Sequence, residues 1–109
     1  LKIPQGVKTI NQNAFGGTGF NGTLQLHDGI TSINQGAFNN VPLKGELNLP
    51  KNLTSVGEST FAGCDFSGEL KLPKGLVSIG RNAFAGNWRL MGTLEFPDGL
   101  ESIGAGAFC

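Results

Sequence analysis

The chain is poor in the residues that most enzyme sites are built from. It holds one histidine and two cysteines, Cys64 and Cys109, too few ligands for a closed zinc site. Neither thiol has a histidine partner that would make it reactive. Charge is scarce too: 15% of residues carry one, eight basic against eight acidic. That balance removes the electrostatic basis for binding nucleic acid or an anionic membrane. No apolar run approaches the ~20 residues that span a bilayer as a helix. No phosphate-cradling glycine loop is present, because the short Gly-x-Gly pieces recur as turns. Neither an enzyme nor a cofactor or metal protein is expected.

Glycine, by contrast, is abundant at 18 of 109 residues, and it is periodic. The stretch LKLPKGLVSIGRNAFAG beginning at Leu70 has counterparts beginning at Leu1, Leu24, Leu47 and Leu94. The chain therefore divides into repeats 1–23, 24–46, 47–69, 70–93 and a truncated 94–109. A fixed period of this length with constant apolar columns marks a solenoid of the leucine-rich-repeat kind. The whole is expected to be a single domain and a segment of a longer protein, with any targeting segment outside it. Cys64 and Cys109 fall two repeats apart, roughly 10 Å at ~4.8 Å per coil, which is beyond disulfide reach.

Each column asks one physical question. Leu1, Leu24, Leu47, Leu70 and Leu94 alternate with Ile3, Leu26, Leu49, Leu72 and Phe96, the spacing of a short strand with both columns inward. Proline follows at 4, 50, 73 and 97, with His27 in the second repeat, and should end that strand. Two columns exchange Gly with Asn: Gly6, Gly29, Asn52, Gly75, Gly99, and Asn11, Asn34, Gly57, Gly80, Gly104. That exchange predicts left-handed turn residues. Between them, Thr9, Ser32, Ser55, Ser78 and Ser102 precede Ile10, Ile33, Val56, Ile79 and Ile103, reading as a second short extended segment with a bonded hydroxyl column. Phe15, Phe38, Phe61, Phe84 and Phe108 are constant. They are expected to stack as a core spine on one short helical turn, α or 3₁₀, beside the small residues Ala14, Ala37, Thr60, Ala83 and Ala107. A return loop carries Phe20, Leu43, Phe66 and Leu90 before Gly22, Gly45, Gly68 and Gly92.

With Leu-Pro, Ser-Ile-Gly and Ala-Phe at fixed offsets along its whole length, the chain resembles the BspA-type leucine-rich repeat. The resemblance implies an α/β repeat solenoid, a right-handed coil of short parallel strands and short helical turns. It also implies an extracellular or cell-surface protein, some of whose relatives adhere to host or neighbouring cells. The family often places Cys near the position of Cys64, whereas Thr18, Val41 and Asn87 stand there in the other repeats, so no regular cysteine column exists. No catalytic residues come with the family.

The candidate binding surface has two parts. One is the ladder of outward polar residues, Gln25, Asn48, Lys71 and Glu95 with Glu46 and Glu69. Glu46 is expected over Glu69 as a like-charge pair, eased by Lys44 and Lys71. Two carboxylates are a poor calcium site, and a solvated face is the simpler reading. The other part is the fourth return loop, which holds the one extra residue and Trp88, Arg89 and Met91. Trp and Arg are enriched at binding hot spots, although Trp88 folding back over Leu90 and Phe66 is the blander alternative. A protein or glycan partner, or none if the segment is a spacer, fits this surface. The uncapped end coils also invite end-to-end self-association. His27 is expected to be structural. Asn21 and Asn52 match the glycosylation acceptor pattern.

Overall fold

The computed structural model describes residues 1–109. Eight short strands are its only regular elements: β1 (Thr9–Ile10), β2 (Ser32–Ile33), β3 (Lys44–Glu46), β4 (Ser55–Val56), β5 (Asp65–Glu69), β6 (Ser78–Ile79), β7 (Arg89–Met91) and β8 (Ser102–Ile103). They form two parallel sheets, β1-β2-β4-β6-β8 and β3-β5-β7. The result is a solenoid whose coils lie one on the next.

The first sheet pairs like with like: Thr9 with Ser32, Ser32 with Ser55, Ser55 with Ser78 and Ser78 with Ser102. Its apolar residues point inward, and Ile33, Val56 and Ile79 are buried. The hydroxyl column lies on the outer face, half-buried or exposed. Ser32 Oγ donates to Thr9 Oγ1 at 3.2 Å. The second extended segment read from the sequence is therefore the principal sheet.

The Leu-x-Leu segments, expected to be short strands, pair only as an isolated bridge between Lys2 and Gln25. The register explains why. The second sheet joins Lys44 to Asp65, Gly45 to Phe66, Ser67 to Arg89 and Gly68 to Leu90. Each of these partners lies two columns earlier in its own repeat. A step of two keeps the apolar face inward, but the first sheet has no step. The chain between the two sheets must absorb that offset, and its ladder is lost there.

Around the phenylalanines no helix forms. Asn13, Phe15 and Gly17 donate to the next coil at Gln35, Ala37 and Asn39 (2.9, 2.8 and 2.9 Å), while Ala14, Gly16 and Thr18 close local turns onto Asn11, Asn13 and Phe15. A helix needs consecutive local bonds, and here every second amide is taken by the neighbouring coil. The same alternation recurs in coils two to four. It holds the rings in register: Phe15, Phe38, Phe61, Phe84 and Phe108 stack at centroid spacings of 5.3, 5.5, 5.6 and 5.4 Å, with planes within 13°. Phe66 meets Phe61 edge-on at 5.8 Å, so the return loop closes the core around the spine.

The left-handed positions are not the two columns expected. Positive φ falls at Asn13, Gly36, Ser59, Asn82 and Gly106, at Gly17, Asn40, Gly63 and Gly86, and at the return glycines Gly22, Gly45, Gly68 and Gly92. The first of the expected columns instead sits in ordinary turns, in which Val7, Ile30, Leu53, Leu76 and Leu100 donate to the carbonyl three residues back. In the second, glycine serves close approach: a Cβ at Gly57 would lie 2.5 Å from the Gln35 nitrogen, and one at Gly80 would lie 2.5 Å from that of Glu58. Gly and Asn exchange for more than one reason, and the sequence does not say which.

Candidate functional site

The inserted loop is the most conspicuous exposed surface. Trp88 is 83% exposed and Met91 71%, so the indole does not fold back over the core. Leu90 turns inward and is half-buried. The extra residue leaves β7 with its inward leucine in place, and the surplus length emerges as the exposed Trp88. Arg89 Nε approaches Asp65 Oδ1 at 3.6 Å, with both side chains largely in solvent. A pair so exposed contributes little to stability, and Arg89 follows Trp88 directly in the chain.

Asn87 anchors the base of this loop. Its side chain is buried at 7% exposure. Its Nδ2 donates to the Phe61 and Phe84 carbonyls at 2.8 and 3.1 Å, and its Oδ1 accepts the Phe66 amide at 3.1 Å. All three partners lie on the spine or its edge-on neighbour. The indole thus projects from a rigid base. In the sequence Asn87 is marked only as a departure from a cysteine position, with no anchoring role. Its signal was a polar residue in a column otherwise holding Thr18, Val41 and Cys64, which in a buried position demands partners.

Beside the loop lies a groove of about 180 Å³, lined by Leu70, Phe84, Asn87, Leu90, Met91, Gly92, Thr93, Leu94 and Phe108. Met91 and Phe108 (37% exposed) form its rim. Gln25, Asn48, Lys71 and Glu95 are all exposed, as are Glu46 and Glu69. They make a polar face rather than a strand ladder. The expected like-charge pair does not form in register, because the two-residue step sets Glu46 opposite Ser67 and Glu69 opposite Met91.

Residues 1–109 match the family model described as "BspA type Leucine rich repeat region (6 copies)". The chain belongs to the BspA-type leucine-rich repeat family. It is similar to a leucine-rich repeat protein of known structure from Bacteroides ovatus, at 33% identity and a TM-score of 0.84, covering 98% of this chain and 27% of that one. The chain thus spans about a quarter of that relative's length. No curated protein matches it.

Within this BspA-type solenoid Cys64 and Asn87, which share a column, do one job with different side chains. Cys64 Sγ donates to the Phe38 carbonyl at 3.3 Å, the phenylalanine one coil back, and Asn87 does the same to Phe61. Burial pushes the Cys64 thiol up to about 12, with a backbone hydrogen bond at Val41 pulling weakly the other way. Such a thiol is no nucleophile at neutral pH. His27 is equally structural: its Nδ1 accepts the Gly29 amide at 3.1 Å, so its Nε2 carries the proton and donates to the Pro4 carbonyl at 2.8 Å. Asn52 Nδ2 donates to the Asp28 carbonyl at 3.0 Å. Asn21 is exposed.

Proposed function

We propose that this chain is a non-enzymatic recognition module of a secreted or surface-anchored protein, binding a protein or glycan partner through the fourth return loop. The observation that carries this reading is Trp88, a large apolar side chain held in solvent by a loop whose base is buried and fully hydrogen-bonded. Holding an indole in water forgoes the burial it would gain against the core. An exposed tryptophan next in the chain to an arginine, on a loop whose Met91 lines an apolar groove, has the composition of a binding hot spot. Surface placement is supported by the family resemblance, and adhesion is the role that such a module serves.

Trp88 is the only tryptophan and the chain has no tyrosine, so its fluorescence reports the proposed site directly. Titration with host matrix proteins and with cell-surface glycans should give a saturable blue shift of the indole emission for a true partner. Trp88→Ala should then weaken that binding by about tenfold or more, measured by surface plasmon resonance. Reversing Glu46 and Glu69 to Lys should change its salt dependence. Absence of saturable binding across both ligand sets would favour a spacer that carries no ligand of its own.

A further inference from the structure

Between the return sheet and the first sheet each coil runs through its Leu-x-Leu segment and the turn after it, and different groups stitch successive coils together there. From coil one to coil two, Ile3 donates to the Gln25 carbonyl, Gln25 donates to that of Leu1, and His27 Nε2 donates to that of Pro4. From coil two to coil three the work passes to Asp28. Its Oδ1 accepts the Lys51 amide at 3.1 Å, and its carbonyl accepts Asn52 Nδ2 at 3.0 Å. One coil on, Lys51 stands in the column of Asp28, and an ammonium has no acceptor to offer the Lys74 amide. No hydrogen bond joins residues 47–52 to residues 70–75. The unstitched junction holds a pocket of about 310 Å³ between coils three and four, with coil two beyond it on one side and coil five on the other.

Every charged residue lining that pocket is a lysine. Lys51 and Lys74 share a column, Lys71 completes the set, and all three are exposed. Like charges set opposite one another on neighbouring segments repel, and the chain does not relieve them. Its one ion pair is Arg89 with Asp65, so Glu95 and Asp98, next in the columns of Lys71 and Lys74, are not bonded to these lysines. Leu49, Leu72 and Pro73 give the pocket a half-buried apolar wall. Its residues also carry free polar groups of both kinds. Asn52 Oδ1 and the Leu49 and Lys71 carbonyls accept no hydrogen bond, and the Leu72 and Lys74 amides donate none.

We propose that this pocket binds an anionic sugar of a glycan chain, a uronic acid or a sulfated hexose. The lysines hold the carboxylate or sulfate as point charges. The apolar wall takes a C–H face of the ring, and sugar hydroxyls, which both donate and accept, satisfy the free amides and carbonyls. An extended acidic peptide would need a strand edge to pair with, and residues 47–52 and 70–75 lie outside every strand. None of the pocket's residues belongs to the Trp88 loop, so the site stands or falls independently of the partner proposed there.

Isothermal titration with short oligosaccharides tests the proposal. A heparin hexasaccharide, which carries both anionic groups, should bind with a Kd below about 1 mM at low salt, and a neutral dextran oligosaccharide of the same length should not. A hyaluronan hexasaccharide, which carries carboxylates alone, separates the two sources of charge: its binding assigns the carboxylate, its failure beside heparin the sulfate. Raising salt from about 0.05 to 0.5 M should weaken the heparin complex about tenfold. Lys51→Gln/Lys74→Gln should weaken it at least about tenfold, with unchanged circular dichroism. Lys2→Gln/Lys8→Gln, which removes the same charge elsewhere, should leave it within about twofold, as should Trp88→Ala. No binding up to about 1 mM, an equal loss from the two lysine pairs, or a hexaglutamate peptide that binds as tightly as the sugar would each overturn it.

Discussion

A buried side chain in a solenoid answers to the coil beneath it as much as to its own neighbours in sequence. Gly63 shows this. Its φ of +70° already disfavours any side chain, and a Cβ there would run into the Asn40 amide oxygen of the coil below. Gly36 stands in the same relation to Asn13, and Gly106 to Asn82. Each asparagine in a left-handed column is thus followed by glycine in the next coil. Gly63→Ala should cost about 1–3 kcal/mol in urea unfolding. Asn40→Gly in the same chain should recover the collision part of that loss and leave the φ strain, a coupling that a double-mutant cycle measures. Cys64 gives a second prediction at this scale. Its thiol titrates at about 12 when folded against an ordinary 9.0, so the unfolded chain loses its proton first as pH rises. The stability tied to the neutral thiol is complete below about pH 9 and falls as pH rises toward 12. Cys64→Val, which repeats the residue at Val41, should flatten that decline in denaturation series between pH 8 and 11. A thiol reagent at neutral pH should meanwhile label only the exposed Cys109.

At the scale of the element, the return sheet depends on a single buried side chain. Its strands step two residues per coil, and β5 relies on the Asn87 side chain for the Phe66 amide. Asn87→Ala would strand that buried amide and two spine carbonyls. It should destabilise the protein by about 2–4 kcal/mol. Hydrogen exchange should locate the damage, with amides of residues 65–69 and 89–91 losing protection before those of β4 and β6. The stagger also explains what the sequence could and could not disclose. Columns show which residues are equivalent, so the stacked phenylalanines and the Ser-Ile segments were legible from spacing alone. Equivalence is not pairing, however. Glu46 and Glu69 occupy one column yet face Ser67 and Met91, and the Leu-x-Leu segments alternate like strands without forming a ladder. Hydrogen-bond partners depend on how neighbouring coils slide, which no single column records. The exposure of Trp88 was equally hidden, since composition allowed an indole lying over Phe66 as readily as one in solvent.

For the molecule as a whole, the phenylalanine spine sets how stability is distributed. Each coil touches only its neighbours, so the stability of the stack is a sum of coil and junction terms along a line. Phe61 sits between Phe38 and Phe84 and is fully buried, whereas Phe108 ends the column at 37% exposure. Phe61→Ala opens a cavity that removes two ring contacts and the edge contact to Phe66, and should cost about 3–5 kcal/mol. That is a large share of the roughly 5–15 kcal/mol that holds a domain of this size. The position of the lesson along the line decides what unfolds. Breaking the stack at the third coil leaves about two coils on either side, fewer than the three or so that a solenoid needs to stand. Neither half should survive alone, so Phe61→Ala should lower the urea midpoint with an unchanged slope, the sign of one cooperative unit. Phe108→Ala should release only the last coil: early loss of exchange protection at Ser102–Ile103, followed by a main transition close to that of the wild type. Should Phe61→Ala instead give two separated transitions, the coils would be folding as independent blocks, and the stacked rings could not be what joins them.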